Sequence, residues 1–130
     1  MLEIKFDATF EEEAALEAWY EENGVGDVEV YDEDSRDDEA GEYIRNSLWT
    51  FRPGFLANET GMAVEMFNVL QERAEDANDW IEDILDATCG LDDFIDSAIQ
   101  ADGYGQFLSS YDGEEIEIEI DGNTYYGYRI

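Results

Sequence analysis

The chain has 130 residues, of which 36 are Asp or Glu against 6 Lys or Arg and no His, giving a formal net charge of −30. A surface of that sign repels nucleic acid and anionic lipid, while attracting basic grooves, cationic ligands and divalent metals. Apolar residues make up 44 % and aromatics 14 %, too much buriable side chain for a disordered acidic tail, and the length fits one domain burying about two thirds of its unfolded surface.

In chain order, "LEIKF" (2–6) alternates with Leu2, Ile4 and Phe6 on one face and reads as a strand. Thr9 and Glu12 form a capping-box pair ahead of an apolar stripe, Ala15, Leu16, Trp19 and Tyr20, and "ENG" at 22–24 supplies the stop of this first helix. "DVEVY" (27–31) is a second strand. The acidic window 32–42 is expected to be a loop running into a helix capped at Ser35 or Asp37, which carries Tyr43, Ile44, Leu48 and Trp49. Pro53 cannot continue a helical ladder and disfavours helix at Arg52, so a turn or kink belongs at "FRPGF".

From about Thr60 helical spacing returns, with Met62, Met66, Phe67, Val69 and Leu70, then Trp80, Ile81, Ile84 and Leu85, then Leu91, Phe94, Ile95, Ala98 and Ile99. Two or three helices follow, with a boundary at "TCG" (88–90). A short aromatic helical turn is expected in "DGYGQFLSSYDGEE" (102–115). "EEIEIEIDGNTYYGYRI" is a hairpin turning at Asp121-Gly122-Asn123. Tyr125, Tyr126 and Tyr128 cannot all face one way, so an exposed tyrosine is expected on its return strand. The expected fold is a single α+β domain over residues 1–130, with a small sheet built from the N-terminal strand, the second strand and the C-terminal hairpin, packed with four to five helices.

Cys89 is the lone cysteine, so no internal disulfide forms and a reducing setting fits. "MLEIKFDATFEEE" has neither a basic region nor an apolar run, and no stretch of about 18 apolar residues occurs. A cytoplasmic protein that does not enter membranes is expected.

Catalytic chemistry finds little support: there is no His, a single Lys, no glycine-rich phosphate loop and no nucleophile elbow. An EF-hand register started at Asp32 places Arg36 at its fifth position, Asp37 where Gly is required and Tyr43 where the bidentate Glu belongs. No enzyme activity, dedicated metal site or cofactor is expected.

The acidic residues offer more. Glu75, Asp76, Asp79, Glu82, Asp83 and Asp86 recur at three- and four-residue spacing and are expected to cover one helix face opposite Trp80, Ile81, Ile84 and Leu85. Asp92, Asp93 and Asp96 continue the theme, as do Glu11, Glu12, Glu13, Glu17, Glu21 and Glu22 on the first helix. Glu115, Glu117 and Glu119 form a row on the hairpin, where Arg129 is the one base on the return strand. Like charges at these spacings weaken a helix, and a helix that need only be soluble interleaves Lys or Arg. Six carboxylates over about 18 Å of helix rise come within a factor of two of the B-DNA density, about one charge per 1.7 Å. Such rows suit a DNA mimic, a rigid polyanion that collects the gain a DNA-binding protein draws from phosphate. Two alternatives stand beside it: an acidic adaptor for a basic patch, and a halophilic domain whose acidity concerns solvent alone.

"ADGYGQFLSSYDGEE" with the ending "YYGYRI" resembles a C-terminal pattern of small acidic bacteriophage-type proteins and covers about the last third of the chain. By size and charge the chain is similar in class to phage antirestriction and anti-CRISPR proteins that imitate DNA. The resemblance implies a host defence nuclease or DNA-binding complex as target, and the chain is expected to be a monomeric or homodimeric inhibitor in the cytoplasm of an infected bacterial host. Its partner would be a nuclease or DNA-binding protein with a basic groove, and it would not bind nucleic acid itself.

Overall fold

The computed structural model describes residues 1–130. It is α+β, with elements β1 (Leu2–Ile4), α1 (Phe10–Asn23), β2 (Val28–Tyr31), α2 (Glu33–Asn46), α3 (Pro53–Thr60), α4 (Val64–Gln71), α5 (Asn78–Ala87), α6 (Leu91–Asp102), α7 (Tyr104–Leu108), β3 (Ile116–Ile120) and β4 (Asn123–Arg129). Seven helices replace the expected four to five, because the apolar runs are cut by short breaks. α3 stops at Gly61 before α4 starts, while the short aromatic helical turn expected in 102–115 forms as α7. The chain divides into two compact units, residues 1–40 with 102–130, and residues 41–101.

The first unit holds a four-stranded mixed sheet in the order β1-β2-β4-β3. β1 runs parallel to β2 through the α1 crossover, and β4 lies antiparallel to both β2 and β3. Thr9 starts α1 as the spacing predicts: its Oγ1 accepts from the Glu12 amide and its own amide donates to Glu12 Oε1, each at 3.1 Å. One sheet face buries Val28, Val30, Ile118 and Tyr125 against Leu16 of α1, with Leu2, Ile4, Trp19, Tyr20, Ile116 and Ile120 packed around them. Burying side chains of this size contributes about 1.5–3 kcal/mol each, which is what fixes the strand register.

The other sheet face carries Tyr31, Tyr126 and Tyr128. Tyr31 and Tyr128 meet edge to face at 5.7 Å. The expected exposed tyrosine of the return strand is therefore absent: Tyr125 and Tyr128 are buried on opposite faces and Tyr126 is half-buried, because both faces of β4 are covered. The hairpin turns on Asp121 and Gly122, at φ 52° and 82°, the left-handed pair that a two-residue type I′ turn requires.

α2 begins earlier than the sequence suggests. Asp32, not Ser35 or Asp37, caps it: its Oδ1 accepts from the Ser35 amide at 2.9 Å while its own amide donates to Ser35 Oγ at 3.1 Å. Acidic residues suit a first helical turn, where the dipole favours them, and this offsets the weak hydrophobic pattern that made 32–42 look like loop. Ala40, in the first unit, is buried.

In the second unit Pro53 sits in the first turn of α3 behind an extended Arg52, the position where its missing amide costs nothing. Phe51, Phe55 and Phe94 pack as a ring cluster with centroids 5.2–5.9 Å apart. Ile44, Leu48, Leu56, Phe67, Ile81, Leu85 and Phe94 are buried. Trp80 departs from the expected core set: it is 46 % exposed, with the Arg73 guanidinium 5.5 Å from its ring. Val69 and Met62, expected on apolar faces, are also exposed.

Candidate functional site: the acidic surface

Acidic residues divide unevenly between the units. The sheet unit carries 23 acidic and 3 basic side chains, the helical unit 13 and 3. The denser charge thus lies in the unit that holds α1, the start of α2 and the hairpin, and the α5 and α6 rows belong to the less acidic unit.

The expected six-carboxylate stripe is interrupted. Glu75 and Asp76 lie in a 3-10 turn, Ala74–Ala77, entered through Ala74 at φ 52°, and α5 begins only at Asn78. Ala77 is buried and Asn78 is tied inward, its Oδ1 accepting from the Trp49 amide and its Nδ2 donating to the Arg45 carbonyl. Side chains before and after this turn follow different helical phases. What remains on α5 is Asp79, Asp83 and Asp86, exposed and one face apart by four and three residues. Glu82 is half-buried and accepts from Arg45 Nε at 2.6 Å.

Asp92, Asp93 and Asp96 are exposed on the first turns of α6, where two of them lie at the favourable end of the helix dipole. Asp86, Asp92 and Asp93 line one shallow groove with Arg45. In the sheet unit, Glu13, Glu17 and Glu21 of α1 face Glu3 across a groove that also exposes parts of Ile4 and Tyr20.

Glu117 and Glu119 are exposed, but Glu115 is engaged. Its Oε1 accepts from Arg36 Nη1 at 3.1 Å and from the Tyr128 hydroxyl at 2.5 Å. Arg36 is the buried base of the molecule: its guanidinium lies between the Tyr104 and Tyr126 rings, 3.9 and 3.8 Å from their centroids. Tyr104 in turn donates to Asp37 Oδ1 at 2.5 Å. Arg129 does not relieve the Glu row. In register with Val28, it belongs to the opposite face of the sheet and reaches Asp112 at 3.8 Å.

This arginine and tyrosine cluster was missed in the sequence. Its one legible signal was parity: Tyr126 pairs with Glu117, so Tyr126, Tyr128 and the Glu row share a face. Nothing local in the sequence announces Arg36 or Tyr104 as their neighbours.

Tyrosine hydroxyls serve repeatedly as carboxylate donors. Tyr125 donates to Glu12 Oε2 at 2.6 Å, and Tyr31 to Glu29 Oε2 at 3.4 Å. The bond from Tyr125, with the Thr9 amide, holds the Glu12 carboxyl below the ordinary glutamate range. Burial, then the facing carboxylate, pushes Tyr125 and Tyr104 up to about 12 and drives Tyr128 far above the usual phenol range.

Seven carboxylates take part in ion pairs, the partners being the Met1 ammonium, Lys5, Arg36, Arg45 and Arg129. Those on the outer faces of α1, α5 and α6 do not. No group of three or more acidic or thiol side chains is gathered as a metal ion would require, and no helix is long and apolar enough to cross a membrane. Compared with protein families, curated proteins and solved structures, the chain matches none.

Proposed function

We propose that this chain is a DNA mimic, a non-catalytic inhibitor that occupies the basic DNA-binding groove of a nuclease or other DNA-binding protein in the manner of antirestriction and anti-CRISPR proteins. Its setting would be the cytoplasm of an infected bacterial host, and it would act without a cofactor and without binding nucleic acid. The observation that carries this reading is the set of exposed carboxylates on α1, α5 and α6 that form no ion pair. Four of the six basic side chains are ion-paired with other acids, so most of the charge of these faces is left for a partner. On α5, Asp79, Asp83 and Asp86 present three charges over about 10 Å of rise, about 5 Å apart on average and so about one and a half times the axial phosphate spacing of one DNA strand, about 3.4 Å.

The test is capture of DNA-binding proteins from a bacterial lysate on the immobilised chain, repeated with excess duplex DNA and across salt. A mimic releases its partner when DNA is added, and its affinity falls steeply between about 50 and 200 mM salt, as that of DNA does. An adaptor holds its partner equally well with DNA present, and that result would replace mimicry by the adaptor reading. A halophilic domain captures nothing specific and unfolds when salt is withdrawn.

A further inference from the structure

β3 lies at one edge of the sheet, paired to β4 alone. The two-residue turn at Asp121-Gly122 makes Ile120 and Asn123 a hydrogen-bonded pair, and alternation then assigns Ile118 with Tyr125 and Ile116 with Gly127 to the same kind. The backbone amides and carbonyls of Glu117 and Glu119 therefore point away from β4. No other backbone group bonds to them. The outward carbonyl of Arg129 on β4 agrees with this alternation: beyond the end of β3 it accepts from the Tyr111 amide.

Chemistry beside that open edge differs on the two faces. On one, Ile116 and Ile120 are half-buried and extend the core formed by Ile118 and Tyr125, so a further strand would find an apolar surface already begun. On the other, the exposed Glu117 and Glu119 carboxylates flank the outward backbone groups, and neither is ion-paired. A second copy of β3 added here would set glutamate against glutamate, which is destabilising in cross-strand pairs. The opposite edge differs: β1 has three residues and is followed by Lys5, which is paired with Glu3 and Glu29.

We propose that the open edge of β3 docks an extended basic segment of a partner protein as a fifth strand, with cationic residues beside Glu117 and Glu119 and aliphatic residues beside Ile116, Ile118 and Ile120. Main-chain bonds to Glu117 and Glu119 supply affinity, while the alternation supplies specificity. This surface shares no residue with the α5 and α6 rows and does not depend on DNA mimicry.

The test uses the full chain and a blocked seven-residue peptide alternating lysine and valine, with a peptide of the same composition in non-alternating order as control. The alternating peptide is expected to bind, to shift amide resonances along β3, and to slow hydrogen exchange at Glu117 and Glu119. Glu117→Pro and Glu119→Pro each remove one outward amide without touching a bond to β4, and should weaken binding about tenfold, the worth of one hydrogen bond. N-methylation of the peptide on the amides that would face β3 should abolish binding, while methylation of the alternate amides should not, a comparison that needs no protein variant. Equal binding of the two peptide orders, or unchanged exchange at Glu117 and Glu119, would overturn the proposal. So would a peptide-free dimer that the proline variants dissociate, since the edge would then belong to a second copy.

Discussion

Tyr128 and Arg36 converge on one oxygen, Glu115 Oε1, the phenol at 2.5 Å and the guanidinium at 3.1 Å. Arg36 reaches it while held between two tyrosine rings, so one side chain joins α2, α7, β4 and the segment leading into β3. Replacing Arg36 with Ala removes two ring contacts and leaves Glu115 with the phenol alone. Urea unfolding should show a loss of about 2–3 kcal/mol, and Arg36→Lys should recover only part, because an ammonium cannot stack as a plane between two rings. Equal stability of the alanine variant would remove the cluster from the list of supports.

Tyr125→Phe keeps the ring stacked on Phe6 at 5.6 Å and deletes only the donor to Glu12. A group whose folded pKa lies below its unfolded one adds stability that is present above the unfolded value and is lost as pH falls through the folded one. Wild-type protein should therefore keep an advantage over Tyr125→Phe at neutral pH that shrinks under acid. Carbon-detected NMR should show the Glu12 carboxyl titrating at higher pH in the variant.

At the alkaline end the sign reverses. Tyr104 and Tyr125, raised from 10.0 to about 12, hold their protons more tightly folded than unfolded, so their contribution is intact below about pH 10 and drains away as pH climbs toward 12. Absorbance of phenolate at 295 nm and far-ultraviolet circular dichroism should change together in that window. Phenolate appearing well before unfolding would contradict it.

Gly105 packs backbone to backbone: an added Cβ would stand 2.2 Å from the carbonyl oxygen of Gly113. Neither partner is a flexible side chain that can swing aside. Gly105→Ala should cost about 1–3 kcal/mol or more, read as a lowered thermal midpoint. Gly54→Ala is the matched control, since nothing lies within 4 Å of its Cβ position.

For the acidic rows, Asp79→Asn, Asp83→Asn and Asp86→Asn combined should leave the fold intact and raise the thermal midpoint at low salt, because like charges at helical spacing repel. The same variant should lose capture of any DNA-binding partner. Retained capture would move the contact to α1 or to the hairpin.

Local chemistry made several elements legible in the sequence. The Thr9 and Glu12 capping box, the Ile116-Ile118-Ile120 alternation and the Asp121-Gly122 turn each carry their geometry within a few residues. The break in the α5 stripe was hidden because Glu75 and Asp76 keep helical spacing in sequence, while the backbone leaves helical phase at Ala74. α2 was misread at its start because a helix with so few apolar residues is held by its cap and two buried positions rather than by a stripe. The Arg36 site was out of reach for a different reason: its partners lie 68, 79 and 90 positions away in the chain, and only the sheet register brings them together.

The tyrosine hydroxyls that donate to carboxylates have a consequence for the electric field around the molecule. A lysine in the same place would fix the carboxylate and cancel its charge at a distance, whereas a neutral phenol fixes it and leaves the monopole whole. Glu12, which takes part in no ion pair, is held by the Tyr125 phenol in this way, at 2.6 Å. The protein thereby gains what a printed circuit gains from an insulating board: charges locked to set coordinates, with the potential they project into solvent undiminished by the parts that hold them.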